Sequence, residues 1–274
     1  MSFYISLTGL KGAQTDLSVV ANNVANVSSI AFKKSKAAFG DIFASSGGPL
    51  GGNGVRLIDV NQQFTQGTLE TTDKTLDLAI TGEGFFTVKG LGTNGSVSYT
   101  RNGSFSVDKN RNVVDTTGSR LQVLPTDPTG DGTPTSTDPA GLIDLVIPTV
   151  HPDDATIQLS SISIDETGLV SATFADGSVR NLGVVAMASF PSQDALRQEG
   201  DAHWSATGAS GEAVYGAGNN GLFGAVRSGT LERSNVDITE ELVALISAQR
   251  NFQANSKAIE TANNMTQTII ALRA

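Results

Sequence analysis

The C-terminal stretch DITEELVALISAQRNFQANSKAIETANNMTQTIIALRA, residues 237–274, decides the fold of this chain. It contains neither proline nor glycine, and Asp237 followed by Glu240 is typical of an N-cap and its capping-box partner. Apolar residues recur at one position of a heptad repeat, namely Ile238, Leu245, Phe252 and Ile259. A second heptad position holds Leu242, Gln249, Ser256, Asn263 and Ile270. The stretch therefore predicts a single helix of roughly 35 residues, about 50 Å long.

The first residues of the chain repeat this pattern. One heptad position holds Phe3, Leu10, Leu17 and Val24, and another holds Ala13, Val20 and Val27. This spacing is typical of a coiled-coil seam. Gly9 and Gly12 interrupt the seam, and each glycine costs up to about 1 kcal/mol in a helix interior. We therefore expect this helix to need partners.

Amide side chains weaken both seams, and the set comprises Asn22, Asn23, Asn26, Gln249 and Asn263. Such amides fix the register and the number of partners at a cost in stability. Two interpretations stay open: an intramolecular helix pair with polar outer faces, or a multichain assembly built from such pairs. We interpret a basic cluster, Lys33, Lys34 and Lys36, as cations at the negative end of the first helix dipole. The alternative is a specific contact with an anion or another subunit.

The middle of the chain follows a different period. Between about Val55 and Leu231 apolar residues alternate, and turn residues recur roughly every 8–12 positions. The clearest strands are expected at 76–80, 84–88, 97–100, 105–107, 157–159, 161–164, 170–174 and 184–190, and hairpin turns at 101–104, 108–111 and 175–178. The sequence therefore predicts an α+β fold in which the long terminal helices pair as a coiled coil around a central antiparallel β domain.

The expected domain limits follow from these patterns. Residues 1–35 and 236–274 form the helical domain, 66–235 the β domain, and 125–141 a surface loop within it. Residues 36–65 are assigned to a linker because the segment 45–54 is rich in Ser and Gly, a composition typical of flexible chains. Its candidate hinge residues are Gly47, Gly48, Gly51, Gly52 and Gly54.

The composition excludes several classes of function. The 18 Lys and Arg residues face 27 Asp and Glu residues, a net charge of -9, so we expect no nucleic-acid partner. There is no cysteine, which excludes disulfides and thiolate metal sites. No apolar run approaches the 18 or so residues of a membrane span, and the N-terminus lacks a signal-peptide pattern, so we expect no membrane insertion.

No group of residues assembles an active site. His151 and His203 are isolated in sequence, and the carboxylates of Asp153-Asp154 and Glu240-Glu241 are sequence neighbours that usually point apart. Residues 216–221 match G-x-G-x-x-G without the following helix of a nucleotide site. Residues 127–138 resemble an imperfect calcium loop, which we interpret as a polar turn. We expect no enzyme, no cofactor and no metal.

At this point the motifs become recognisable. Residues 21–28 (ANNVANVS) and 31–33 (AFK) resemble the N-terminal signature of the bacterial flagellar rod and hook family. Further motifs of the family follow in order at 39–43 (FGDIF), 76–86 (LDLAITGEGFF), 99–105 (YTRNGSF), 229–237 (GTLERSNVD), 240–243 (EELV) and 248–252 (AQRNF). The resemblance covers both ends and most of the middle.

The resemblance implies a homo-polymer, an axial protein whose terminal helices line a tube and whose β domain forms the outer layer. It also implies export through the flagellar type III machinery without a cleaved signal peptide, a place in the basal body or hook outside the cell, and neighbours among the rod, hook-cap and hook–filament junction proteins. The inner helical contacts would come from Phe3, Leu10, Leu17, Val20, Val24, Leu242, Leu245, Phe252, Ile259 and Ile270. The five seam amides would set their register.

Within the family, the start of the chain, the segment 38–44 and the short path from Ala44 to Gly54 resemble hook proteins, which form a bendable universal joint. Distal rod proteins carry a longer insertion in that path. The short total length favours a distal or proximal rod protein instead, because hook proteins usually have an extra outer domain. A remote alternative, suggested by the Thr- and Asn-rich middle and an exposed Trp204, is a secreted glycan-binding β protein.

Overall fold

The computed structural model describes residues 2–43, 52–90, 95–152, 154 and 156–272. The chain forms two compact units. The helical unit contains Met1–Ser28, Lys33–Gln63 and Val236–Ala274, and the β unit contains Ser29–Phe32 and Phe64–Asn235. The architecture is α+β, with a mostly β central part between an N-terminal and a C-terminal helix.

The helical unit consists of helix α1 (Ser2–Ala25), strands β1 (Ser35–Phe43) and β2 (Gly52–Gln62), and helix α2 (Ile238–Ala271). Helix α1 packs against α2. The predicted N-cap of α2 is confirmed, because the Asp237 carboxylate accepts hydrogen bonds from the backbone N–H groups of Thr239 and Glu240 at 2.7 and 3.1 Å. These two bonds lower the pKa of Asp237. They also satisfy two of the backbone donors that a helix N-terminus leaves free.

Strands occupy most of the segment 36–65, where the sequence led us to expect a linker. Strands β1 and β2 pair antiparallel from Ser35 opposite Gln62 to Phe43 opposite Gly52. The glycine-rich composition of 45–54 hid this hairpin, whose arms carry aromatic and β-branched residues that suit strands. Of the candidate hinge residues, Gly52 and Gly54 lie in β2, and Gly47, Gly48 and Gly51 lie outside the described residues.

Gly54 is a point of close contact within the helical unit. Its φ of +108° is unfavourable for other residues, and a Cβ there would collide with the Thr8 side chain of α1. The neighbouring Val55 N–H donates to the Thr8 hydroxyl at 3.3 Å. Glycine at this position therefore lets β2 approach α1.

The β unit is built from short antiparallel strands. Their bounds are β3 (Leu69–Thr71), β4 (Leu78–Thr81), β5 (Phe85–Lys89), β6 (Val97–Thr100), β7 (Ser106–Val107), β8 (Val113–Val114), β9 (Arg120–Leu124), β10 (Ile143–Asp144), β11 (Leu159–Ile164), β12 (Leu169–Phe174), β13 (Val179–Val185), β14 (Met187–Ser189), β15 (Arg197–Gly200), β16 (His203–Ser205), β17 (Val214–Gly216), β18 (Ala225–Ser228) and β19 (Thr230–Glu232). The largest sheet runs β11-β12-β13-β9-β5-β6-β16-β15, with β7, β8, β10, β14 and β17 attached to it.

Two of the three expected hairpin turns are confirmed. Residues 108–111 connect the paired strands β7 and β8, and 175–178 connect β12 and β13. The turn expected at 101–104 is wrong, because β6 pairs with β5 and β16 and not with β7. Its residues Arg101 and Asn102 are buried, and the Gly103 carbonyl accepts the Leu78 N–H at 2.9 Å.

An aromatic cluster fills one part of the β core. It includes Phe85, Tyr99, Phe190 and Trp204. Trp204 is only 1% exposed, and its ring lies 5.4 Å from that of Phe64 and 5.7 Å from that of Phe85. The expectation of an exposed Trp204 is therefore wrong, because β16 places the indole among aromatic rings from distant parts of the chain.

Two pairs of buried charges lie in the β unit. Arg101 and Glu232 are fully buried with their side chains 3.6 Å apart, and the Arg101 guanidinium also lies over the Phe85 ring. His203 Nε2 lies 2.7 Å from Asp115 Oδ2, and its Nδ1 lies 2.9 Å from the Asp201 carbonyl oxygen. The Asp201 carbonyl oxygen can only accept a hydrogen bond, and an ionised Asp115 carboxylate also accepts, so this geometry favours the imidazolium form of His203, in which both ring nitrogens donate.

This geometry determines the direction of both pKa shifts. Burial by itself lowers the pKa of His203, but the hydrogen bond and the charge of Asp115 outweigh it and raise the pKa above its ordinary value. Burial by itself raises the pKa of Asp115, but its bonds with His203 and Thr117 outweigh it and lower the pKa. The pair therefore stabilises the fold in its doubly charged form.

We expect the pair to make stability depend on pH. The contribution of His203 is complete below its ordinary pKa of about 6.5 and is lost as pH rises through the raised pKa of the folded protein. Urea unfolding of the wild type and of His203→Gln between about pH 5 and pH 9 should show the difference in unfolding free energy shrinking as pH rises. A difference that stays constant over this range contradicts the assignment.

Candidate assembly surface

One buried amide joins three elements of the helical unit. Asn23, near the end of α1, donates from Nδ2 to the Ser35 carbonyl at 2.9 Å and to Glu241 Oε2 at 3.1 Å. Its Oδ1 accepts the Ser35 N–H at 2.9 Å. Asn23 and Glu241 are 2% and 7% exposed. Because each buried polar group needs a partner, this network fixes α1 and α2 against the start of β1.

The basic cluster lies beside this network. Helix α1 ends at Ala25 and has no basic residue in its last turn, so the interpretation of the cluster as a partner of the helix dipole is wrong. Lys34 Nζ instead contacts Glu240 Oε2 at 3.2 Å. The Glu240 side chain is mostly exposed, and such pairs contribute little to stability.

The sequence-predicted contact residues differ in their exposure within the subunit. Val20 is buried, and the partly buried ones are Leu10, Leu17, Val24, Leu245, Phe252 and Ile259. The exposed ones are Phe3, Leu242 and Ile270. Their role in contacts between subunits stays a prediction.

The predicted register amides also separate into two groups. Asn23 forms the buried network, and Asn26, the residue directly after α1, donates from Nδ2 to the Asn22 carbonyl in the last turn of α1. Asn22, Gln249 and Asn263 are exposed in the subunit. The Asn23 side chain therefore holds separate elements of this subunit together.

Sequence reasoning missed the face of α2 that is buried most deeply. This face carries Glu241, Ala248, Asn255 and Ala262, one heptad apart, of which Glu241 and Ala248 are buried. A Cβ at Gly9 of α1 would lie 2.6 Å from Asn255 Oδ1, so the helices approach closely at this point. The predicted helix contacts were chosen from large apolar residues, whereas small and polar residues lie where α1 and α2 approach each other most closely. In the sequence, the signal that could have indicated this close approach was Gly9 in the α1 seam.

Large apolar side chains remain exposed on the helical unit. The first turns of α2 expose Ile238, Leu242, Val243 and Ile246, and its last turns and the C-cap residue expose Met265, Ile269, Ile270 and Leu272, each by 43–84%. Leu57, Ile58 and Val60 of β2 are also exposed. Several of these residues are three or four apart and form stripes on α2. Clusters of exposed apolar side chains are typical of protein–protein interfaces. We call these residues the assembly surface.

Among the described residues, no group of three or more His, Asp or Glu side chains is placed to hold a metal ion. In the same part of the chain, no helix is both long and apolar enough to span a membrane.

Comparisons with known proteins identify related chains. Two family models match, the flagellar hook protein FlgE/F/G D1 domain at residues 79–172 and the flagellar basal body rod FlgEFG protein C-terminal region at 227–272. The chain is 33% identical to the flagellar basal-body rod protein FlgG of Bacillus subtilis over 289 positions, covering 99% of this chain and 98% of that protein. It is 28% identical to the flagellar hook protein FlgE of Salmonella typhimurium over 408 positions, covering 100% of both.

These matches extend over the helical unit and the β unit alike, and they define a structural protein and not an enzyme. The chain belongs to the FlgE/F/G family of flagellar hook and basal-body rod proteins.

We expect Asn23→Ala to weaken the helical unit. The change leaves the buried Glu241 carboxylate without its donor, which costs about 1–3 kcal/mol. Urea unfolding followed by the helical circular-dichroism signal measures the loss. Asn22→Ala, at an exposed neighbouring position, should change the free energy of unfolding by less than about 0.5 kcal/mol. Equal effects of the two substitutions contradict the role assigned to the network.

Proposed function

We propose that this protein is a hook subunit, which polymerises into the tube that joins the rod to the filament and transmits torque as a universal joint. The observation that carries the proposal is the short connection of the β1–β2 hairpin. Only residues 44–51 lie between Phe43 at the end of β1 and Gly52 at the start of β2. The sequence resemblance associates a longer insertion in this path with distal rod proteins and a short path with hook proteins.

The assembly surface supports polymerisation through the helical unit. In this proposal α1 and α2 pair as a coiled coil and line the tube, and the apolar side chains exposed in one subunit are covered by other copies. Burial of such side chains stabilises each contact by roughly 25 cal/mol per Å² of apolar area. The β unit has a complete core of its own and suits an outer layer.

The remaining elements of the proposal follow from family membership. The subunit would be exported by the type III machinery without a cleaved signal peptide and would reside in the hook or basal body outside the cell. Its neighbours would be rod proteins, the hook cap and the hook–filament junction proteins. The glycan-binding alternative has lost one of its two supports, because Trp204 is buried.

A rod subunit remains the second candidate, and sequence length favours it. The alignment with the Bacillus subtilis rod protein has 289 positions for a chain of 274 residues. The alignment with the Salmonella hook protein has 408 positions, so 134 of them, 408 minus 274, have no counterpart here.

We expect Ile246→Asp to abolish polymerisation and leave the subunit folded. Ile246 is 50% exposed on α2, so a carboxylate there remains hydrated in the monomer but would be desolvated in an interface. Electron microscopy and sedimentation at rising protein concentration measure assembly, and circular dichroism checks the fold. Gln253→Asp, another exposed position on α2, is the matched control. Polymerisation of Ile246→Asp at the wild-type concentration contradicts the proposed surface.

Assembly in the cell distinguishes hook from rod. In a strain that lacks this gene, we expect complete rods without hooks, because a hook subunit is added only after the rod is finished. Electron microscopy of isolated basal bodies gives the answer. Truncated rods would show that the protein is a rod subunit.

A further inference from the structure

Helix α1 borders an open groove with a volume of about 310 Å³ inside the helical unit. Its apolar lining comes from Gly9, Gly12 and Ala13 of α1, Phe39 of β1 and Val55 of β2. Its polar lining comes from Asp16 of α1 and from Asn251 and Asn255 of α2. The groove is large enough for one leucine or phenylalanine side chain.

Packing within the subunit does not require glycine at position 12. A Cβ at Gly12 would lie 3.4 Å from Val55 Cγ1 and 3.6 Å from the Phe39 ring, which are ordinary contact distances. Its backbone is helical, a conformation that alanine favours over glycine. Gly9 differs, because its Cβ would press against Asn255. The subunit therefore carries a helix-weakening glycine where alanine would fit, and the missing methyl group leaves the groove open.

We propose that this groove receives an apolar side chain from a terminal helix of a second copy of the chain. The inference rests on the proposed polymerisation and names the contact that it uses. The chain itself carries the complementary part, because both terminal helices expose large apolar side chains. A protrusion on one face and a groove on another form a head-to-tail interface, and repetition of such an interface generates a ring or a helical filament.

The decisive variant is Gly12→Ala. Alanine strengthens α1 but narrows the groove, so we expect a subunit at least as stable as the wild type that polymerises less well. The critical concentration for assembly, measured by sedimentation, should rise by roughly tenfold or more. Gly208→Ala is the matched control, because Gly208 lies in an exposed turn of the β unit with no atom within 4 Å of a Cβ. It should leave the critical concentration unchanged.

Gly12→Leu extends the test by filling the groove, and we expect it to abolish polymerisation while circular dichroism still shows a folded subunit. If Gly12→Leu does not fold, Gly12→Ala alone decides. Assembly of Gly12→Ala at the wild-type critical concentration overturns the inference and leaves the proposed function standing. If the wild type itself forms no polymer, the proposed function fails first, so the two failures are distinguishable.

Discussion

The helical unit depends on the hydrogen bonds of one buried amide. Asn23 binds Ser35, twelve residues away, and Glu241, 218 residues away. Sequence-distant segments are costly to bring together because the loop between them loses conformational freedom. A buried carboxylate and a buried amide tolerate only a partner with the correct geometry. The network therefore fixes the axial position of α1 relative to α2, and the groove beside Gly12 and the stripes on α2 depend on that position.

The two units differ in the side chains that they bury. The β unit buries large apolar side chains together with two internal charge pairs, Arg101 with Glu232 and His203 with Asp115. Among the described residues of α1 and α2, the apolar ones exposed by less than a tenth are only Ala13, Val20 and Ala248. Small side chains bury little area, so α1 and α2 gain little hydrophobic stabilisation from each other. A helix pair of this kind becomes more stable when further copies cover its exposed face, which is the physical basis of the proposed polymerisation.

The sequence predicted those features that depend on local periodicity or capping. Both helices, the Asp237 cap and the turns at 108–111 and 175–178 belong to this group. Features that depend on distant contacts were missed. Trp204 is buried by Phe64 and Phe85, and the β1–β2 hairpin was hidden by the glycine-rich segment between its strands. The buried face of α2 carries Glu241 and Ala248, which have no hydrophobic signal in a heptad count.

The β9–β10 hairpin bears on the choice between hook and rod. Strands β9 and β10 pair antiparallel, with Val123 opposite Ile143 and Gln122 opposite Asp144, so the segment between them leaves the sheet and returns to an adjacent point. A domain can be inserted at or removed from such a connection with little effect on the sheet, because its two ends are already close together. An insertion at such a connection would account for the 134 positions of the alignment with the Salmonella hook protein that have no counterpart here, 408 minus 274, and would leave the sheet intact. The β1–β2 connection is different, because it belongs to the unit that carries the assembly surface. We therefore give the sequence length of this connection more weight than total length in proposing a hook subunit.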